Sequence, residues 1–329
     1  MAESFQPSTQ WRERVEPDEE SRFAAYADQF AALQKQKSAR FGNGRALHRK
    51  QITAAVGELN VLPGLPEFAA QGLFANAGSF PVQVRLSNGG TDRVSDRRPD
   101  VRGFAIKVQG VQGDSALGNG PARSQDFLLI NHESFAFPRS DAFVELVVAA
   151  SQSPAALLGH LLRKHGPLGM LREMRKMAKT FGKPFAGFAN ETLYTAAPLA
   201  CGPYAVRVRL VPDASNGKPA AAGCADWNAD FSERLAQQDL QWALQLQAFV
   251  REDITPIEDA SVSWPTPYTT VATLRLPRQK TDPQSPLAKE VEAGVFDPWQ
   301  ALAAHRPLGD VMRARKVVYY RSQQERGAA

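Results

Sequence analysis

Cysteine is scarce in this sequence. Cys201 and Cys224 are the only two; they share no CxxC spacing, and no histidines stand at zinc-binding intervals from them. That excludes a disulfide scaffold and a zinc finger, and leaves two ordinary reduced thiols. No apolar stretch approaches the length that crosses a bilayer, and the opening MAESFQPSTQWRERVEPDEE carries no apolar segment of a secretory signal. A cytoplasmic protein without a membrane partner is expected. The formal charge of +5 over 329 residues is a mild excess, and the basic side chains are scattered. Nucleic-acid binders concentrate such charge on one face among aromatics, so no nucleic-acid partner is expected. No internal repeat or low-complexity linker is present. Strand and helix patterns do not alternate regularly enough for a doubly wound sheet.

What is present reads as an ordinary globular chain, with 43% hydrophobic and 22% charged residues. Residues 1–20 form a polar arm, and 21–329 a single domain. Within SRFAAYADQFAALQKQKSA, residues 21–39, Phe23, Tyr26, Phe30 and Leu33 are spaced three, four and three apart. That predicts an amphipathic helix with Ser21 as N-cap. PVQVRLS sets Val82, Val84 and Leu86 against Gln83, Arg85 and Ser87, the alternation of a strand. GFAIKV, DFLLIN, YAVRVRLV, WALQLQAFV and TTVATLRL are further strand candidates, with helices between about 140 and 181. Asp297-Pro298 predicts a helix start, and Asp310 is positioned to cap a last helix that runs to about Arg326 and stops at Gly327. The pattern is α+β.

Three places invite chemistry. His48 lies among Arg45, Arg49 and Lys50; positive neighbours disfavour imidazolium, although a solvated basic patch would read the same. Arg85 and Ser87 share the polar face of their strand, which by itself also suits a solvent face. Arg315, Tyr319, Ser322 and Arg326 fall on one helical stripe. A cation one turn from a phenol favours the tyrosinate, an anionic ligand for ferric iron, while a plain surface helix would show the same spacing.

In chain order these fragments resemble the haem catalase superfamily. The matching residues are Arg45, His48 and Lys50, then VRLSN at 84–88, DVRGFAIK at 100–107, IEDASVSWP at 257–265 and RKVVYYRSQQERG at 315–327. SQDFLLIN at 124–131 and HRPLGD at 305–310 are similar to the short catalase-like, catalase-related peroxidase branch. The resemblance implies an eight-stranded antiparallel β-barrel with flanking helices and haem b between the barrel and the last helix. It makes Tyr319 the iron ligand, with Arg315 holding the phenol ionised. His48 becomes the catalytic base that takes a proton from bound hydroperoxide and returns it to the departing oxygen. Ser87 orients that histidine, and Arg45 and Arg85 pair the haem propionates. IEDASVSWP would include an aspartate-led strand. His132, His160, His165 and His305 are left to structural roles, His132 being the one rival to His48.

The sequence departs from the family where an asparagine should face the distal histidine. Alignment on the strand offers Arg123, Ser124 or Gln125, and alignment upstream offers Asn119. Losing that amide weakens the use of a second peroxide as reductant. The resemblance therefore implies a peroxidase acting on hydrogen peroxide or small organic hydroperoxides with an organic electron donor and weak catalase activity. The outer segments of large catalases are missing here, so a more open channel and a homodimer or monomer are expected, without NADPH. Leu47 before His48 is aliphatic as in catalases, whereas allene oxide synthases have threonine there. Rearrangement of fatty-acid hydroperoxides, and haem binding with little turnover, remain as alternatives.

Overall fold

A computed structural model describes residues 5–221, 224 and 226–328. Its centre is a β-barrel built from β1 (Gln51–Val61), β2 (Gly78–Asn88), β3 (Arg102–Gln109), β4 (Ser124–Ile130), β5 (Leu193–Tyr194), β7 (Tyr204–Pro212), β8 (Leu240–Ala248) and β9 (Tyr268–Leu276). The strands run antiparallel in the order β5-β4-β3-β2-β1-β9-β8-β7, and pairing of β5 with β7 closes the ring. A short β6 (Leu199–Cys201) pairs outside the ring with β7. The alternation seen in the sequence is the inside–outside alternation of the barrel. Val84, Leu86, Phe104, Ile106, Trp242 and Leu244 fill the interior, all fully buried.

Among the described residues six helices flank the barrel: α1 (Glu19–Phe41), α2 (Ser140–Gln152), α3 (Pro154–Phe181), α4 (Trp227–Gln237), α5 (Pro286–Ala293) and α6 (Asp310–Glu325). α3 is broken at Gly166, whose φ of 66° is followed by Pro167, a residue without an amide hydrogen. Phe23, Tyr26, Phe30 and Leu33 form the buried stripe of α1, which packs on α6 together with Phe143 and Val144 of α2. The amino-terminal arm is pinned to α6. Arg313 donates to carboxylate oxygens of Glu13, Glu19 and Glu258, and Trp11 donates to the Pro203 carbonyl at 2.8 Å. No helix among the described residues is long and apolar enough to cross a membrane.

The structure corrects several local readings. α1 starts two residues before Ser21, whose hydroxyl donates back to the Asp18 carbonyl instead of capping. Asp297-Pro298 opens only a turn: the Asp297 carboxylate accepts from Trp299 N at 2.9 Å, and the Gln300 carbonyl accepts from Asp126 N at 2.9 Å. Backbone groups that a helix would use inwardly are spent there on β4. Asp310 is the first residue of α6 but turns its carboxylate to Ser140 N at 2.7 Å and to Arg22 at 3.1 Å. Residues 257–265 form a loop, with the Asp259 carboxylate accepting from Ser261 N at 2.9 Å. The polar face of β2 is not a solvent face, since Arg85 and Ser87 are both buried.

Candidate active site

His48 lies in the loop between α1 and β1 with φ at 49°, a left-handed conformation that costs a non-glycine residue free energy. Two bonds hold it: its N–H donates to the Gly89 carbonyl at 2.9 Å, and its carbonyl accepts from Arg85 Nη2 at 2.9 Å. Nδ1 lies 3.0 Å from Ser87 Oγ. The tautomer that donates from Nδ1 to that hydroxyl leaves the Nε2 lone pair to accept a proton, and Nε2 has no hydrogen-bond partner among the described residues. Gly103, directly across from Ser87 on β3, lies beneath the ring. Burial, followed by the charges of Arg85, Arg315 and Arg45, pushes the imidazole down to about 3. The ring is therefore neutral at ordinary pH, and it is only partly shielded from solvent.

On α6, Arg315 Nη2 donates to Tyr319 Oη at 2.7 Å, with the guanidinium 4.8 Å from the ring centroid. Tyr319 is half-buried, whereas Tyr320 is 57% exposed, so only the first faces inward. The rest of the stripe fastens the helix. Ser322 donates to Gln34 Oε1 at 2.6 Å, and Arg326 donates to the carbonyls of Ala293 and Gly294 at 2.7 and 2.6 Å. The His48 loop follows α1, which packs along α6, so the two halves of the site lie beside each other and the charge of Arg315 acts on the His48 ring.

Arg45 and Arg85 are not open forks. Both hold the carboxylate of Glu292 at the end of α5, at 3.1 and 2.8 Å, and Arg45 also donates to the Glu292 and Gly294 carbonyls. Burial opposes ionisation of Glu292, yet Arg85 and Arg45 hold its carboxyl below the usual range. Sequence reasoning missed this residue, and no local signal marks it, since its partners are 207 and 247 positions away. With Arg93 Nη2 3.9 Å from its other oxygen and Arg326 Nη1 3.5 Å from the Glu292 carbonyl, four guanidiniums gather around this one residue. Burial and the charge of Arg85 accordingly push Arg45 well below its ordinary value despite Glu292. This surplus of partly buried positive charge suits a dianionic ligand, as the two carboxylates of haem would be.

None of the four candidates for a distal amide makes a hydrogen bond with His48. Asn119 is exposed between Gly118 and Gly120, both at positive φ. Gln125 is buried, but its Oε1 accepts from Leu302 N at 3.0 Å. Ser124 belongs to a buried cluster with Lys107 and Asp126, and Arg123 is exposed. The barrel face beside Ser87 and Arg85 is instead apolar, with Gly103 and Ile130 in one row and Ala105 and Leu128 in the next. Of the remaining histidines, His305 is a core residue, accepting from Leu73 N at 2.9 Å and lying 3.2 Å from the Ala200 carbonyl. His160 lies 3.8 Å from Glu145 on the helical surface. His132 is half-buried, and burial followed by the charge of Lys183 lowers its pKa.

No family model matches the sequence, and no curated protein matches it. Solved structures do. A fungal catalase superposes with a TM-score of 0.67 at 17% identity, covering 100% of this chain and 68% of its own. Catalase A from Saccharomyces cerevisiae gives 0.69 at 16%, covering 100% and 69%, and a bacterial catalase gives 0.64 at 15%, covering 99% and 63%. The closed eight-stranded barrel with its flanking helices is therefore the catalase fold.

Proposed function

We propose that this protein is a haem-dependent peroxidase that reduces hydrogen peroxide or small organic hydroperoxides with an organic electron donor, and that it releases oxygen only weakly. The observation that carries the reading is the neutral His48, tied to Ser87, within reach of the Arg315–Tyr319 pair. Tyr319 would hold the iron, and Arg45, Arg85 and Arg326 the carboxylates of haem b, with Glu292 sharing their charge. When bound, haem supplies the metal at which peroxide oxygen binds and the capacity to store oxidising equivalents.

The chain's own residues handle the proton. His48 Nε2 accepts it from the near oxygen of the peroxide and delivers it to the far oxygen, which leaves as water or alcohol. Ser87 fixes the ring so that the same nitrogen faces both oxygens, and the surrounding guanidiniums return the imidazole to its neutral form after each transfer. Oxygen release needs a second peroxide held as reductant. Leu128 and Ile130 provide no hydrogen-bonding side chain for that purpose, so an organic donor is the better reductant. A reducing compartment such as the cytoplasm is the proposed setting, in keeping with the free thiols of Cys201 and Cys224, with the protein as a homodimer or a monomer.

The test is the visible spectrum of protein produced with ample haem, beside Tyr319→Phe and Tyr320→Phe. A ferric tyrosinate spectrum lost only in Tyr319→Phe supports the reading, and wild type without stoichiometric haem overturns it. Oxygen release that far outruns donor oxidation at equal peroxide would leave the haem site standing but make the protein a catalase.

A further inference from the structure

α3 is the least covered element of the protein. Of its 28 residues only Leu161 is buried, and the helix packs on α2 rather than on the barrel. Leu168 is 85% exposed, and Leu158, Leu162, Leu171, Met174 and Phe181 are each 38–46% exposed. Stable folds do not commonly leave six large apolar side chains of one helix in water. The charge on this helix is as lopsided as its exposure, with six lysines and arginines against the single carboxylate of Glu173.

Leu168, in the first turn after the break at Gly166, falls among the cations at the helical period, but beyond it the two properties are segregated. After the break at Gly166, Met170, Leu171, Met174, Met177 and Phe181 fall in an arc of about 120° when plotted at the helical period. Arg172, Arg175, Lys176 and Lys179 occupy the adjoining arc of about 100°. Lys164 is paired with Glu145, and Arg172 reaches Glu173 at 3.7 Å, but Arg175, Lys176 and Lys179 enter no ion pair among the described residues. An exposed helix with an apolar arc beside unpaired cations has the form of an interfacial membrane helix.

We propose that α3 docks this protein on an anionic phospholipid surface. The apolar arc enters the boundary between headgroups and acyl chains, while Arg175, Lys176 and Lys179 meet lipid phosphates. Sequence reading expected no membrane partner because it sought spanning segments, and a helix lying in the interface needs none. A second copy of the chain fits this face poorly: a two-fold contact through the apolar arcs would bring the cationic arcs of both copies together. The inference is independent of the peroxidase reading, since it concerns only the outer face of a flanking helix.

The experiment uses the full chain and vesicles of equal parts phosphatidylcholine and phosphatidylglycerol, with pure phosphatidylcholine vesicles beside them. Co-sedimentation is measured at low and high salt. The protein is expected on the anionic vesicles only, and to be released by salt. Replacing Arg175, Lys176 and Lys179 together by glutamine should weaken partitioning about a hundredfold, since each basic residue contributes a roughly fivefold preference near such a surface. Leu171→Ser with Met174→Ser should also abolish binding, with an unchanged circular dichroism spectrum because both are exposed. Absence of binding to both vesicle types, equal binding to both, or retention by the glutamine variant overturns the proposal. A concentration-dependent dimer that the serine variant abolishes, in protein that ignores vesicles, would make α3 a self-association face instead.

Discussion

Gly103→Ala offers the sharpest perturbation of the candidate site. Gly103 needs no unusual backbone angle, so the substitution acts only through the added methyl group. An added Cβ would lie 2.5 Å from His48 Nδ1, 2.7 Å from Cε1 and 2.8 Å from Ser87 Oγ. These approaches are well inside ordinary contact distances, and the crowded atoms are the two ends of the His48–Ser87 bond. The ring cannot withdraw easily, because both backbone groups of His48 are already held, by Gly89 and Arg85. Overpacking of this kind costs about 1–3 kcal/mol. Spread over an unfolding entropy of about 2 cal/mol/K per residue, that lowers Tm by about 1–4 °C. The catalytic effect should be larger, because a displaced base forfeits much of the 10²–10⁴-fold that general acid–base catalysis provides. Donor oxidation at fixed peroxide, measured on haem-loaded protein, should therefore fall about a hundredfold or more while the barrel stays folded. Gly159→Ala in α3, where the new methyl meets nothing within 4 Å, serves as the control and should leave turnover unchanged. Wild-type turnover in Gly103→Ala would refute the argument that this contact orients the base.

Other perturbations test different parts of the structure. Glu292→Gln removes the carboxylate that Arg45 and Arg85 share, so the haem-free chain should lose stability while haem adds more to Tm than it does in wild type; paired melting curves with and without haem check this, and an unchanged haem-free Tm would count against the buried charge cluster. Stability should fall as pH drops from about 6.5 toward 4, because the unfolded chain takes up protons at two histidines that the folded chain leaves neutral down to about 3 at His48 and about 4 at His305. Asp297, pushed up to about 6 by burial, works in the opposite sense, gaining stability as pH falls through that value. Melting curves of wild type and His48→Asn between pH 7 and 5 measure the balance, and the variant should show the shallower slope. Arg313→Ala severs α6 from Glu13, Glu19 and Glu258, leaving three carboxylates without their shared cation; a loss of about 3 kcal/mol or more in denaturant unfolding is expected, and wild-type stability would contradict it.

Much of the barrel could be read from the chain because a strand with one face inward must alternate, and β2, β3, β7, β8 and β9 do. β1 escaped notice for a physical reason. Ala54 and Ala55 are both buried, on opposite faces, and Gly57 sits where a Cβ would come 2.3 Å from the Arg275 carbonyl. Close approach to β9 selects small residues there and erases the period. Asp297-Pro298 misled because its capping signal is local, while the decisive hydrogen bonds to β4 and to Gln323 are not. At the candidate site, His48, Ser87, Arg315 and Tyr319 were singled out by the order in which several motifs resemble the haem catalase superfamily, since each motif alone suits a surface role. Glu292 was not, since a carboxylate acquires its meaning only when the fold carries it to guanidiniums more than 200 positions away.

That separation also governs how the molecule comes into being. β1 pairs with β9, setting Glu58 across from Arg275, so the ring cannot close until most of the chain exists. His48, Arg45, Arg85 and Ser87 are made early in synthesis; Glu292, Arg315 and Tyr319 come long after. During the interval the buried cations of the first half have no carboxylate to face and the edge of β1 has no neighbour, a state in which chaperones or adventitious strands find their opportunity. Because so many of its pairings are distant in sequence, the barrel should also refold slowly from denaturant. A cofactor that bridges the two halves can be accepted only after that closure, so acquisition of haem would mark the completion of folding rather than guide its beginning.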